Sequence, residues 1–133
     1  MQVSLHMVFV DDETELFELM AVLLEDDIEN GTINLTCSES AEKCLEYLDT
    51  ENGADVVLIV SDINMPGMSG LDLLSVVKEQ FKQIEVYMCS AYDTEEYTQR
   101  AKELGASRYL VKPLDIELLK QYIEESFKIS LVS

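Results

Sequence analysis

The sequence predicts an α/β fold: a doubly wound, five-stranded parallel sheet with helices on both faces. Apolar runs and segments of helical period alternate from one end to the other. The central run, "ADVVLIVSD" (residues 54–62), is continuously apolar rather than alternating, as suits a strand covered on both faces. The 133 residues are 47% hydrophobic, enough for one domain with a substantial core.

The elements follow in order. "LHMVFV" (Leu5–Val10) reads as the first strand. "ETELFELMAVLLED" follows as one helix, with Leu16, Leu19, Met20, Leu23 and Leu24 at helical spacing, and Gly31 stops it. "INLTC" (Ile33–Cys37) alternates like a half-buried strand. "SAEKCLEYLDT" puts Ala41, Cys44, Leu45 and Leu48 on one helix face. After the third strand and a Pro-Gly turn, "SGLDLLSVVKEQ" is a helix with Ser69 as N-cap. "IEVYMCSA" (Ile84–Ala91) is the fourth strand. "DTEEYTQRAKELGA" is a helix with Asp93 and Glu96 spaced as a capping box and Gly105 at its end. "SRYLV" (Ser107–Val111) is the fifth strand. A fifth and last helix, "LDIELLKQYIEESFKI", is capped by Asp115.

With 27 acidic against 9 basic residues, the formal charge is −18. Such a surface repels phosphate backbones and anionic lipid, so direct nucleic-acid binding is not expected. No apolar stretch reaches the ~20 residues of a bilayer span, and the first residues lack a basic signal-peptide region. Cys37, Cys44 and Cys89 form no CxxC pair and read as small core fillers in a reducing cytoplasm. His6 reads as structural or surface with no role, the methionines Met65, Met68 and Met88 as turn and core filler, and Glu25–Asn30 as a solvated helix end.

In open parallel sheets the functional crevice lies outside the carboxyl ends of the strands. Strand one ends in Asp11-Asp12, strand three in Asp62 with Asn64 just beyond, strand four in Ser90, and strand five in Lys112-Pro113. Carboxylates gathered at one rim repel unless a cation intervenes. Mg²⁺, or another divalent ion such as Mn²⁺, suits oxygen ligands: Asp12 and Asp62 directly, Asp11 through water, and a backbone carbonyl near Asn64. Asp12 is also placed to cap the first helix. A site of that charge favours a phosphoryl group. Lys112 supplies a point charge and Ser90 a hydrogen bond for its oxygens, while Asp62 is placed to attack phosphorus.

The ordered motifs "VFVDDE", "SDINMPGMSGLDLL", "CSAYD" and "RYLVKP" closely resemble the receiver domain of two-component response regulators, over essentially the whole chain. The resemblance implies a (βα)5 flavodoxin-like receiver fold of single-domain, chemotaxis-regulator type. It implies that Asp62 accepts a phosphoryl group from a phosphohistidine on a sensor histidine kinase or phosphotransfer protein. Asp11, Asp12, Asp62 and the Asn64 carbonyl would hold Mg²⁺. Ser90 and Lys112 would contact the phosphoryl oxygens, Ser90 and Tyr109 would act as the switch, and Asn64 and Tyr92 would tune the phosphoryl lifetime. The Lys112-Pro113 bond is expected cis.

The protein is therefore expected to be a signalling switch rather than an enzyme in the usual sense. It would use no nucleic acid or membrane and would be a monomer or a phosphorylation-dependent dimer. Output to a downstream protein would pass through the face of the fourth helix, fifth strand and fifth helix, which includes Tyr97, Arg100, Lys102, Tyr109 and Lys120. Residues 1–133 read as one receiver domain without an output domain, standing alone rather than cut from a longer protein. Two alternatives are a Mg²⁺-dependent phosphohydrolase with an aspartyl nucleophile and a receiver-like scaffold that is never phosphorylated. The first needs a second carboxylate two residues after the nucleophile, where Asn64 stands.

Overall fold

The continuous apolar run of the third strand commits it to burial on both faces. Each fully buried Val, Leu or Ile contributes about 1.5–3 kcal/mol over an exposed one. The computed structural model describes residues 4–92 and 94–132. Five parallel strands, β1 (Leu5–Val10), β2 (Ile33–Ser38), β3 (Leu58–Asp62), β4 (Glu85–Ser90) and β5 (Arg108–Val111), form one sheet in the order β2-β1-β3-β4-β5. Six helices accompany them: α1 (Glu15–Leu23), α2 (Glu25–Glu29), α3 (Ala41–Leu48), α4 (Gly70–Gln80), α5 (Glu95–Glu103) and α6 (Ile116–Phe127).

Strand residues alternate between two cores, as the two-residue period of a strand requires. Val8, Val10, Ile59, Val86 and Met88 pack under α3, α4 and α5. Met7, Phe9, Leu58, Val60, Tyr87 and Cys89 pack under α1, α2 and α6. The predicted fold class is thus the observed one, with β1, β3 and β4 central and their carboxyl ends on one rim.

Local chemistry explains several boundaries. Ser69 and Asp72 form a reciprocal capping box at α4, and Asp115 caps α6 through the Leu118 amide. Gly105 follows α5 at φ +103, which glycine adopts without the Cβ penalty. At α5 the N-cap is Thr94, whose side chain accepts from the Tyr97 amide; the Asp93–Glu96 capping box lies outside the described residues because it includes Asp93.

Three expectations need correction. The single first helix is two, α1 and α2, bent at Leu24 (φ −106, ψ 12), which points fully into the core. Asp12 does not cap it: the N-cap is Thr14, without a side-chain bond, and it is Asp11 that accepts from the Glu13 amide at 2.9 Å. The stretch Glu25–Asn30 is not wholly solvated, because Asp27 is fully buried.

Gly70 positions the rim. Its amide donates to the Ile63 carbonyl at 2.8 Å, and a Cβ there would sit 2.0 Å from the Asp62 carbonyl oxygen. That neighbour is backbone and cannot swing aside. Gly70→Ala is therefore expected to destabilise the fold by about 1–3 kcal/mol, read in a urea melt, and to displace Asp62.

Candidate functional site

Each rim residue stands where a strand runs out. Asp11 and Asp12 follow β1, Asp62 closes β3, Ser90 closes β4 and Lys112 follows β5. Parallel pairing sets their level: Asp62 lies opposite Cys89, and Ser90 opposite Val111. The Lys112 amide donates to the Ser90 carbonyl at 2.8 Å, and the Lys112-Pro113 bond is cis, as expected. The loop after Asp62 is braced from α3, where Glu42 accepts from the Met68 amide at 3.2 Å.

One carboxylate oxygen each from Asp11, Asp12 and Asp62 lie within 4.8 Å of one another. Asp11 and Asp62 are buried, and Asp12 is exposed. The Lys112 ammonium reaches into this group, 2.7 Å from Asp11, 3.4 Å from Asp62 and 3.5 Å from Glu13. Three carboxylates thus contact one amine, and Asp12 stands beside them. Burial raises the Asp62 carboxyl above its usual value; Lys112 lowers it and Asp11 raises it again, and the Asn64 amide lowers it. For Lys112 burial is opposed by the hydrogen bond and charge of Asp11 and by Asp62, which together hold the amine above its usual range.

Three oxygen donors with excess negative charge and one exposed member fit a hard divalent cation that keeps part of its water. The Asn64 residue is exposed, and its backbone N–H faces the Asp62 carboxylate. Ser90 is buried, and its hydroxyl accepts from the Tyr92 amide at 3.0 Å. Tyr109 donates its hydroxyl to the Tyr92 carbonyl at 2.8 Å. Tyr92, 55% exposed, stacks on Tyr97 with ring centroids 6.1 Å apart. Ser90 and Tyr109, the predicted switch pair, are thus joined through one residue of the loop between them.

Other residues fall elsewhere. Lys120, expected on the face of the fifth strand, instead turns to α2, its ammonium 3.7 Å from Asp27. His6 lies at the opposite end of the sheet, buried against Asp55 (2.7 Å), Thr36 (3.0 Å) and Tyr47 (3.1 Å), the structural rather than the surface alternative. Glu42 and Gly70 carry no site signal in the sequence beyond the Pro-Gly turn, and Tyr97, expected on the output face, also stacks on Tyr92. An apolar cleft of about 410 Å³ opens beside Lys112, between Leu16, Leu19 and Met20 of α1 and Ala91, Pro113 and Leu114.

The cysteines are free thiols, and burial pushes Cys44 and Cys89 up to about 12. A thiol titrating there holds almost no thiolate at pH 8. Iodoacetamide at that pH is therefore expected to spare both in the native protein, with any slow labelling confined to half-buried Cys37, as peptide mass mapping would read.

The family model for the response regulator receiver domain matches residues 7–124. Chemotaxis protein CheY of Pseudomonas aeruginosa is 31% identical over 121 residues, covering 90% of this chain and 93% of that protein. Two-component response regulator ARR12 of Arabidopsis thaliana is 33% identical over 118 residues, 89% of this chain; the chain spans only about a fifth of that plant relative's length. In fold it is similar to a signal receiver domain from Pseudomonas fluorescens (TM-score 0.84, 20% identity, 95% of this chain and 96% of that one). A CheY-like receiver domain from Methanospirillum hungatei gives a TM-score of 0.83 at 22% identity, covering 95% of both chains.

Proposed function

The chain belongs to the response regulator receiver domain family, and we propose that it acts as the phospho-accepting receiver of a two-component phosphorelay. The observation that carries this is the meeting of Asp11, Asp12 and Asp62 within 4.8 Å, with Lys112 inserted among them. A cap or a solvated loop residue needs no such convergence from three strands.

An Asp62 carboxylate oxygen attacks the phosphorus of a phosphohistidine. The phosphorus–nitrogen bond breaks, the electron pair returns to the donor imidazole, and an acyl phosphate forms on Asp62. Asp11, Asp12, Asp62 and the Asn64 carbonyl would hold Mg²⁺, which when bound neutralises phosphoryl charge. Lys112 holds one phosphoryl oxygen electrostatically, and the Ser90 hydroxyl donates to another. Because Ser90 is bonded to the Tyr92 amide, and the Tyr92 carbonyl to Tyr109, a shift of Ser90 toward the phosphoryl group drags the loop and Tyr109 with it. Phosphorylation thereby biases a two-state equilibrium that a protein target reads on the α5–β5–α6 face.

The apolar cleft beside Lys112 receives the phosphodonor protein, and the acidic residues around it favour a basic rim on that partner. Asn64 and Tyr92 flank the path of an attacking water and set the lifetime of the acyl phosphate. Tyr92→Ala is expected to shorten that lifetime several-fold, in a phosphate-release time course; an unchanged rate removes the shielding role. The chain is read as a cytoplasmic receiver switch, and Asn64 argues against a phosphohydrolase, since an amide cannot serve as general acid or base.

The test is chemical trapping. The protein is incubated with acetyl phosphate and Mg²⁺, reduced with borohydride, which converts an aspartyl phosphate to homoserine, and digested for peptide mass mapping. Homoserine at position 62 alone is expected. Trapping at another acidic residue, or at none while beryllofluoride also fails to bind, contradicts the proposal.

A further inference from the structure

Beyond α6 the chain turns back on itself. Lys128 takes the left-handed conformation (φ 56, ψ 43), which non-glycine residues enter only where the surroundings favour it. Residues 129–132 then run along the seam between α2 and α6. Ile129 and Leu131 pack against the core of that face, while Ser130 and Val132 point to solvent, the alternation of an extended segment.

Among the described residues no strand pairs with this segment. Charged side chains read its backbone instead. The Leu131 amide donates to Glu124 at 2.8 Å, the Val132 amide to Asp27 at 2.9 Å, and Lys120 donates to the Val132 carbonyl at 2.7 Å. Glu124 and Lys120 come from α6 and Asp27 from α2, so two helices grip consecutive peptide groups. Bonds to charged groups are the stronger kind.

Asp27 is the second observation. It is fully buried, a costly position for a carboxylate. One oxygen takes the Val132 amide; the other has no hydrogen-bond partner among the described residues and lies 3.7 Å from Lys120. Nothing in α2 itself uses this carboxylate. It is an acceptor turned into the seam, with capacity for one more donor. A cleft of about 290 Å³ continues alongside, between Glu117, Gln121 and the strap.

We propose that the α2–α6 seam is a binding site for an extended polypeptide segment with apolar residues at alternate positions, which residues 129–132 occupy in cis. Asp27 and Lys120 recognise the peptide groups, and the seam takes the two apolar side chains. A tethered occupant holds an effective concentration that a free segment must exceed. The strap therefore gates the seam: a partner segment of the same pattern binds once the strap is released. This site is remote from the acidic rim and does not depend on phosphoryl chemistry.

The test uses the full chain and a fluorescein-labelled peptide of residues 128–133, read by anisotropy. In the strap-released variant Ile129→Asp/Leu131→Asp the peptide is expected to bind saturably. The unaltered chain should bind at least tenfold more weakly. Adding Asp27→Ala to the released variant should abolish binding. Equal binding with and without Asp27→Ala, or no binding to a released variant that still melts cooperatively, overturns the proposal. Should the double variant fail to fold, Val132→Pro removes the one amide that Asp27 accepts, and the same readings apply. Amide exchange in the unaltered chain gives a separate check: Leu131 and Val132 protected at least tenfold over free peptide supports the strap, and free exchange contradicts it.

Discussion

Asp62→Asn is expected to abolish phosphoryl uptake and, without divalent metal, to raise the melting temperature. The first effect follows from chemistry, because an amide oxygen is too weak a nucleophile to hold a phosphoryl group. The second follows from electrostatics. Burial, opposed by Lys112 and reinforced by Asp11, leaves the Asp62 carboxyl titrating above its usual value. The native state then binds more protons than the unfolded state between the usual value and the raised one. Stability therefore falls as pH rises through that window, and above it the cost of an ionised Asp62 is fully present.

An asparagine of the same shape removes that cost. Lys112 loses a partner at 3.4 Å and keeps Asp11 at 2.7 Å, so the exchange does not strand the amine. The pH dependence separates this account from better packing: the advantage of Asp62→Asn should shrink as pH is lowered toward the usual carboxylate range. A variant less stable than the parent at neutral pH would show that the Lys112–Asp62 pair outweighs the strain of crowded carboxylates.

Removal of divalent metal is the second large effect. With chelator present, phosphoryl uptake from acetyl phosphate should fall below detection, since Lys112 alone offsets Asp11, Glu13 and Asp62 as well as an incoming anion. A cation bound only by the native state stabilises it by about 1.4 kcal/mol at ten times its dissociation constant and about 2.7 kcal/mol at a hundred times. Melting at rising Mg²⁺ reads that gain. Asp12→Asn isolates the site, because Asp12 is exposed and forms no ion pair among the described residues. It should leave the metal-free stability within about 0.5 kcal/mol and remove most of the Mg²⁺ gain. A full gain in Asp12→Asn would place the ion elsewhere.

The strands and the rim were legible because their signals are local. An apolar run that ends on a carboxylate needs no knowledge of its neighbours, and the carboxyl-end rule gathers Asp11, Asp12, Asp62, Ser90 and Lys112 from positions along the whole chain. Caps such as Ser69 and Asp115 are local too. What failed depends on distant partners. The burial of Asp27 rests on Lys120 and on the Val132 amide, so a reading of Glu25–Asn30 alone saw only charge and assigned it to solvent. Lys120 was assigned to the wrong face for the same reason. The brace from Glu42 to the Met68 amide and the Tyr92–Tyr97 stack carry no periodic signal. The break at Leu24 was hidden because leucine favours a continuing helix, and only the demand of the core bends it.

The central claim is that Asp62 accepts a phosphoryl group with the help of a divalent cation. Intact mass after incubation with acetyl phosphate tests it most directly, with and without Mg²⁺, for the unaltered chain and Asp62→Asn. The account predicts one added phosphoryl group on the unaltered chain in Mg²⁺, and none on Asp62→Asn or in chelator. An adduct that persists in Asp62→Asn, or that forms equally well in chelator, would contradict it.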